Sequence, residues 1–158
     1  LRERVPKLDE WIDSEIKVLW NIQKEDGTIE GWHGDGNFAR TSLMYALWKT
    51  AGITVEGWSP DLTYGAVVED GMLYVAMKAE SDWSGKLKFS SKLHSANLKL
   101  PFDYPRINQF QEWYPMEKER KYVVTTNGKK RNVEGVDLIA GLLVDLKSGE
   151  TVRIEVHP

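Results

Sequence analysis

An α+β fold, an N-terminal α-helical hairpin followed by a mainly antiparallel β-sandwich, is what this sequence predicts, and three observations carry it. Apolar residues recur at helical spacing as far as Gly52, and beyond it they recur at every second position. The second region is also punctuated by the dipeptides Asp70-Gly71 and Asn127-Gly128, which accept positive φ at low cost and join paired strands. The change of period divides the chain into a helical hairpin over 1–52 and a sandwich over 53–158.

The first helix is expected from Lys7 to Lys24. Leu8, Trp11, Ile12, Ile16, Leu19, Trp20 and Ile22 form its apolar stripe, Pro6 is tolerated at its entry, and Asp26-Gly27 ends it. A polar loop follows, and a second helix is expected from Phe38 to Thr50, with Asp35 or Asn37 as its cap and Gly52 as its stop. Phe38, Leu43, Met44, Ala46, Leu47 and Trp48 leave that helix little polar surface, so burial on most sides is expected. The two helices either pack against the sheet or complete a helical domain supplied elsewhere.

Strands are expected from Gly52 to the end of the chain. Residues 62–69 and 72–79 flank Asp70-Gly71 as a hairpin. Residues 86–90 and 97–100 alternate apolar and polar side chains, and 122–126 precede Asn127-Gly128. Val133, residues 142–146, the turn at Ser148-Gly149 and residues 151–156 complete about seven short strands.

With 158 residues, of which 41% are hydrophobic and 28% charged, the chain can bury a substantial core. Its net charge of -3 comes from interspersed acids and bases, with no basic footprint for nucleic acid, and no apolar run approaches a membrane span of roughly 20 residues. Without cysteine there are no disulfides, thiol nucleophiles or thiolate metal sites. The chain begins at Leu1 without a signal-peptide pattern and is expected to be a segment of something longer.

The segment Gly31-Trp32-His33-Gly34-Asp35-Gly36-Asn37-Phe38-Ala39-Arg40 concentrates glycine, polar and aromatic residues just before a helix. Unpaired N–H groups and the positive end of the helix dipole favour an anionic or polyhydroxylated ligand there. His33 and Asp35, two residues apart, are candidates for a proton-transfer pair; the alternative is that Asp35 caps the helix and His33 is an ordinary loop residue. Arg40, one turn in, has the planar fork that grips a carboxylate or sulfate, or else forms a salt bridge to Asp35 or Glu30.

Trp32, Trp58 and Trp83 fall in loops or at strand ends, where an exposed indole stacks on a pyranose ring; Trp11, Trp20 and Trp48 read as core. Residues 104–114, rich in amides and aromatics and including Trp113, form either a binding loop or an ordered connection between sheets. His33, His94 and His157 lack metal-ligand spacing, Gly34-x-Gly36 lacks the context of a nucleotide loop, and no nucleophile elbow is present. No metal or cofactor is therefore expected.

Three stretches, residues 31–52 (GWHGDGNFARTSLMYALWKTAG), 103–115 (DYPRINQFQEWYP) and 135–156 (GVDLIAGLLVDLKSGETVRIEV), together with the order of elements, resemble the C-terminal end of bacterial carbohydrate-active enzymes in which an (α/α) toroid precedes a β-sandwich. The resemblance implies a polysaccharide or oligosaccharide ligand, a secreted or periplasmic location, and a companion helical domain, because two helices do not make a toroid. It implies that the loop from Trp32 to Asn37 reaches substrate. In a glycoside hydrolase Asp35 would be one of two carboxylates; in a polysaccharide lyase His33 would abstract a proton beside a uronate that Arg40 neutralises. The alternative is a non-catalytic carbohydrate-binding or protein-interaction sandwich with Trp58, Trp83 and Trp113 on its binding face.

Overall fold

The computed structural model describes residues 8–25, 36–92 and 112–158. Two compact units are present, Leu1–Ala46 and Leu47–Pro158. Asp26-Gly27, the expected strand at 97–100 and most of the 104–114 segment lie outside the described residues.

Helix α1 (Asp9–Trp20) ends four residues before the expected Lys24, closing through three-residue turns in which Ile22 and Gln23 donate to the carbonyls of Leu19 and Trp20. Ile16 is its buried residue. Trp11, expected in the core, is 55% exposed, since five residues place it about 140° round the helix from Ile16. Trp20 is also exposed, and its ring meets Tyr45 edge-on with centroids 5.4 Å apart. Tyr45 donates its hydroxyl to Asp13 Oδ1 at 2.8 Å, fastening α1 to α2 (Asn37–Lys49).

The first intrahelical bond of α2 runs from the Arg40 N–H to the Gly36 carbonyl at 2.9 Å. Gly36 therefore occupies the cap position expected for Asp35 or Asn37, and Asn37 is already helical. Gly52, at φ +76°, donates to the Leu47 carbonyl and ends the helix as expected. The expected burial of α2 on most sides is not found: Leu43 is 48% exposed and the side chains described from Phe38 to Lys49 are at most half-buried. Its apolar residues are spread round the axis instead of forming one stripe that a single neighbour covers.

The second unit is a sandwich of two antiparallel sheets. The smaller has the order β1-β4-β7, with β1 (Thr54–Glu56), β4 (Trp83–Lys88) and β7 (Leu142–Leu146); the larger has the order β2-β3-β8-β5-β6, with β2 (Leu62–Glu69), β3 (Met72–Ala79), β5 (Lys121–Thr126), β6 (Lys129–Glu134) and β8 (Thr151–His157). β2 and β3 form the expected hairpin, registered from Leu62 opposite Ala79 to Glu69 opposite Met72. Positive φ at Asp70 and Gly71, and again at Asn127 and Gly128 between β5 and β6, gives both turns the twist that paired strands require. Ser148-Gly149 does turn the chain, but β7 pairs with β4 while β8 lies between β3 and β5. That turn joins the two sheets.

The core lies between the sheets. Leu73, Val75, Met77 and Ala79 of β3, Val152, Ile154 and Val156 of β8, and Tyr122 and Val124 of β5 face Trp83 and Leu87 of β4 and Leu142 and Leu146 of β7. Alternate residues point to opposite sides of a strand, so one inward run on each strand suffices to make this core.

One element departs from the all-strand expectation beyond Gly52. Residues Gly135–Ala140 form a short helix, α3, between β6 and β7. Gly135 permits it: its N–H donates to the Arg120 carbonyl at 2.8 Å, and a Cβ there would collide with the Glu117 carbonyl. Leu138 is completely buried and its carbonyl accepts from the Phe89 N–H. Val136, Leu138 and Ile139 are equally compatible with a strand; the backbone bonds at both ends select the helix.

Gly135→Ala is expected to destabilise the protein by about 1–3 kcal/mol, and Leu138→Ala by about 2–5 kcal/mol, in urea unfolding followed by tryptophan fluorescence. A Gly135→Ala protein as stable as the parent would show that the close approach to Glu117 is not required.

Candidate functional site

Three connections of the second unit are tied together by hydrogen bonds. The β1–β2 connection carries Gly57, Trp58, Ser59 and Asp61; the β3–β4 connection carries Glu80, Ser81 and Asp82; the β7–β8 connection carries Lys147 and Ser148. Ser81 donates its hydroxyl to Asp61 Oδ2 at 2.7 Å, and the Glu80 N–H donates to the Asp61 carbonyl. Asp82 accepts from Lys147 Nζ at 2.8 Å and from the Ser148 N–H at 2.9 Å, while Ser148 Oγ donates to the Glu80 carbonyl.

Trp58 stands on this polar rim with 68% of its surface exposed. Its backbone is anchored from beneath: the Trp83 indole N–H donates to the Gly57 carbonyl at 2.6 Å. Trp83 itself is 7% exposed, which corrects its expected role as an exposed stacking platform. It shares the inward face of β4 with Gly85 and Leu87, and a Cβ at Gly85 would overlap its ring. The pattern Trp83-x-Gly85-x-Leu87 was the available sign that this indole points inward, with glycine leaving its space.

Trp113 does not join Trp58. It is half-buried against the core, its Cε3 lying 3.9 Å from where a Gly52 side chain would begin, at the start of β1 and away from Gly57 at its end. Its neighbour Tyr114 donates its hydroxyl to the carbonyls of Gly71 and Val156, so this short stretch acts as a clasp on the larger sheet. Trp32, His33 and Asp35 lie outside the described residues, and Asn37 is placed only by its backbone, as the first residue of α2. Arg40 occupies the first turn of α2 and is half-buried.

The rim residues Asp61, Ser81, Asp82 and Lys147 were missed by sequence reasoning. No local signal existed for them, since Ser81 is 20 residues from Asp61 and Lys147 is 65 from Asp82. Among the described residues, no group of three or more His, Asp or Glu side chains is arranged to hold a metal ion, and no helix is long and apolar enough to cross a membrane. Comparison with models of known protein families, with characterised proteins and with solved structures finds no match.

The rim is electrostatically coupled. Lys147, through its hydrogen bond first and the Ser148 N–H second, holds the Asp82 carboxyl below its ordinary 3.8, and Asp82 in turn raises the Lys147 ammonium above 10.5. The Asp82 contribution is complete above 3.8 and fades as pH falls through its lowered folded value; that of Lys147 is complete below 10.5 and fades as pH rises through its raised folded value. Glu56, bonded to Lys88, and Glu117, bonded to Lys92, are depressed in the same direction as Asp82.

Asp82→Asn is accordingly expected to flatten the dependence of Tm on pH on the acid side, below the ordinary Asp value of 3.8, with a smaller effect in high salt. Thermal unfolding across that range measures it, and an unchanged acid limb would remove Asp82 from the rim's electrostatics.

Proposed function

We propose that this chain belongs to a carbohydrate-active protein, a glycoside hydrolase or polysaccharide lyase, in which the β-sandwich is an accessory domain that holds glycan and supports the catalytic part. The observation that carries this reading is Trp58, an indole left exposed on a connection whose backbone is fixed by the buried Trp83. A flat apolar face on the connection that also carries Ser59 and Asp61 matches a sugar ring, which offers C–H groups on its faces and hydroxyls at its edge. Anchoring Gly57 beforehand reduces the ordering that binding would otherwise require.

The catalytic role remains with His33 and Asp35, and Arg40 would neutralise an acidic group on the substrate. The sandwich contributes binding, and a polysaccharide or oligosaccharide is the partner. If the chain takes part in turnover, activity on polysaccharides disappears in His33→Ala or Asp35→Ala while glycan binding by the sandwich persists.

Trp58→Ala is expected to weaken binding to an oligosaccharide selected from a glycan array by roughly ten- to a hundredfold, the equivalent of about 1.5–3 kcal/mol for loss of a large apolar contact. Its Tm should stay within about 1–2 °C of the parent, because an exposed side chain is being removed. Trp83→Phe should weaken the same binding while lowering Tm, since it deletes the anchor on Gly57 and leaves that carbonyl without its donor. Unchanged titration by Trp58→Ala would overturn the reading.

A further inference from the structure

A second feature of the sandwich lies on its open side, between β6 and β7. These are end strands of opposite sheets, so nothing in either ladder closes the gap between them. A cleft of about 430 Å³ runs there, with Leu142, Val144, Val152 and Ile154 among its lining residues. It continues into a second cleft of about 600 Å³ with which it shares Arg131, Leu142 and Leu143.

Strand register decides which charges face the cleft. Val124 stands opposite Arg131 and Thr126 opposite Lys129; Val124 is completely buried between the sheets, so Lys129 and Arg131 lie on the inward face of β6. Residues two apart on a strand are about 7 Å apart. Among the described residues neither side chain has an ion-pair partner, whereas Lys121, further along the cleft on β5, is paired with Glu134. The carboxylates lining the first cleft are already engaged: Asp145 accepts from Ser84 Oγ at 2.6 Å and Glu150 from the Lys147 N–H at 2.8 Å.

We infer that this cleft binds an acidic glycan, a chain of uronate or sulfated sugars, with Lys129 and Arg131 meeting its anionic groups. The second carboxylate oxygens of Asp145 and Glu150 offer acceptors to sugar hydroxyls, the Asn127 amide N–H offers a donor because its oxygen accepts from the Arg153 N–H, and Leu142 and Val144 offer apolar contact to ring C–H groups. The mixture selects the ligand class. A nucleic-acid backbone carries charge too densely to tolerate two carboxylates in the same cleft on a chain of net charge -3, while an acidic polysaccharide intersperses its charges with neutral hydroxyls. The inference rests on the glycan reading given above and specifies the chemistry of the ligand.

The test is titration of the full chain with polygalacturonate, with chondroitin sulfate and with a neutral xylan oligosaccharide, at low and high salt. Binding of either acidic polymer is expected to weaken about tenfold in Lys129→Gln/Arg131→Gln, and to weaken with salt. The equally charged variant Lys78→Gln/Lys118→Gln, altered outside the cleft, should retain it, as should Lys129→Arg/Arg131→Lys. Amide NMR shifts on adding polygalacturonate are expected at residues 129–131 and 142–145, which keeps the test decisive even if a variant folds poorly.

Equal loss in both glutamine variants, or shifts elsewhere, would overturn the inference and leave Lys129 and Arg131 as charges guarding an exposed strand edge. Neutral oligosaccharide bound through Trp58 with no affinity for acidic polymers would overturn the inference alone. Acidic polymer bound through Lys129 and Arg131 with no effect of Trp58→Ala would sustain the cleft and overturn the role of Trp58.

Discussion

The sandwich depends on the inward alternation of its two central strands. β3 and β8 are paired from Leu73 opposite Val156 to Lys78 opposite Thr151, and every inward residue along that stretch is buried and apolar. A shift of one residue in either strand would turn Leu73, Val75 and Met77, or Val152, Ile154 and Val156, toward solvent. The register is therefore specified by burial, and the other strands inherit their positions from it. β2 is brought to one side by the Asp70-Gly71 turn, while β5 pairs with β8 on the other and brings β6 through its own turn.

Because these sheets face each other, the chain changes sheets at five connections, two of which are β3–β4 and β7–β8. Both passages are short, and Asp82 ties them together through Lys147 and Ser148. The β1–β2 connection joins the same group through Asp61. Trp83 is the link from core to rim: its ring fills the space left by Gly85, while its N–H reaches the carbonyl of Gly57. A buried indole needs a partner for its one donor, and here that partner is the backbone beside the exposed Trp58. Packing in the core thereby positions a surface side chain.

The two open edges of the β6–β7 side differ. β6 carries Lys129, Lys130 and Arg131, all exposed on an end strand. β7 leaves Leu143 73% exposed, beside a chain that has just left α3. That helix seats Leu138 in the core and receives the Phe89 N–H on its carbonyl, so it satisfies the backbone where β4 has ended.

Much of the fold was legible in the sequence because it is encoded locally. The β2–β3 hairpin follows from alternation around Asp70-Gly71, the start of β6 from Asn127-Gly128, and the end of α2 from Gly52; each requires only neighbouring residues and their allowed φ. What the tertiary structure decided depended on partners far along the chain. Gly135 became the start of a helix because Glu117 and Arg120 lie against it, and β7 and β8 parted into different sheets although only four residues separate them. The exposed tryptophan was recognisable as a candidate from its loop residues, and the inward turn of Trp83 had its sign in Trp83-x-Gly85-x-Leu87, but the gathering of Asp61, Ser81, Asp82 and Lys147 had none. Burial and long-range hydrogen bonds act between segments that sequence spacing leaves unrelated, whereas periodicity and turn chemistry act between neighbours and can be read directly.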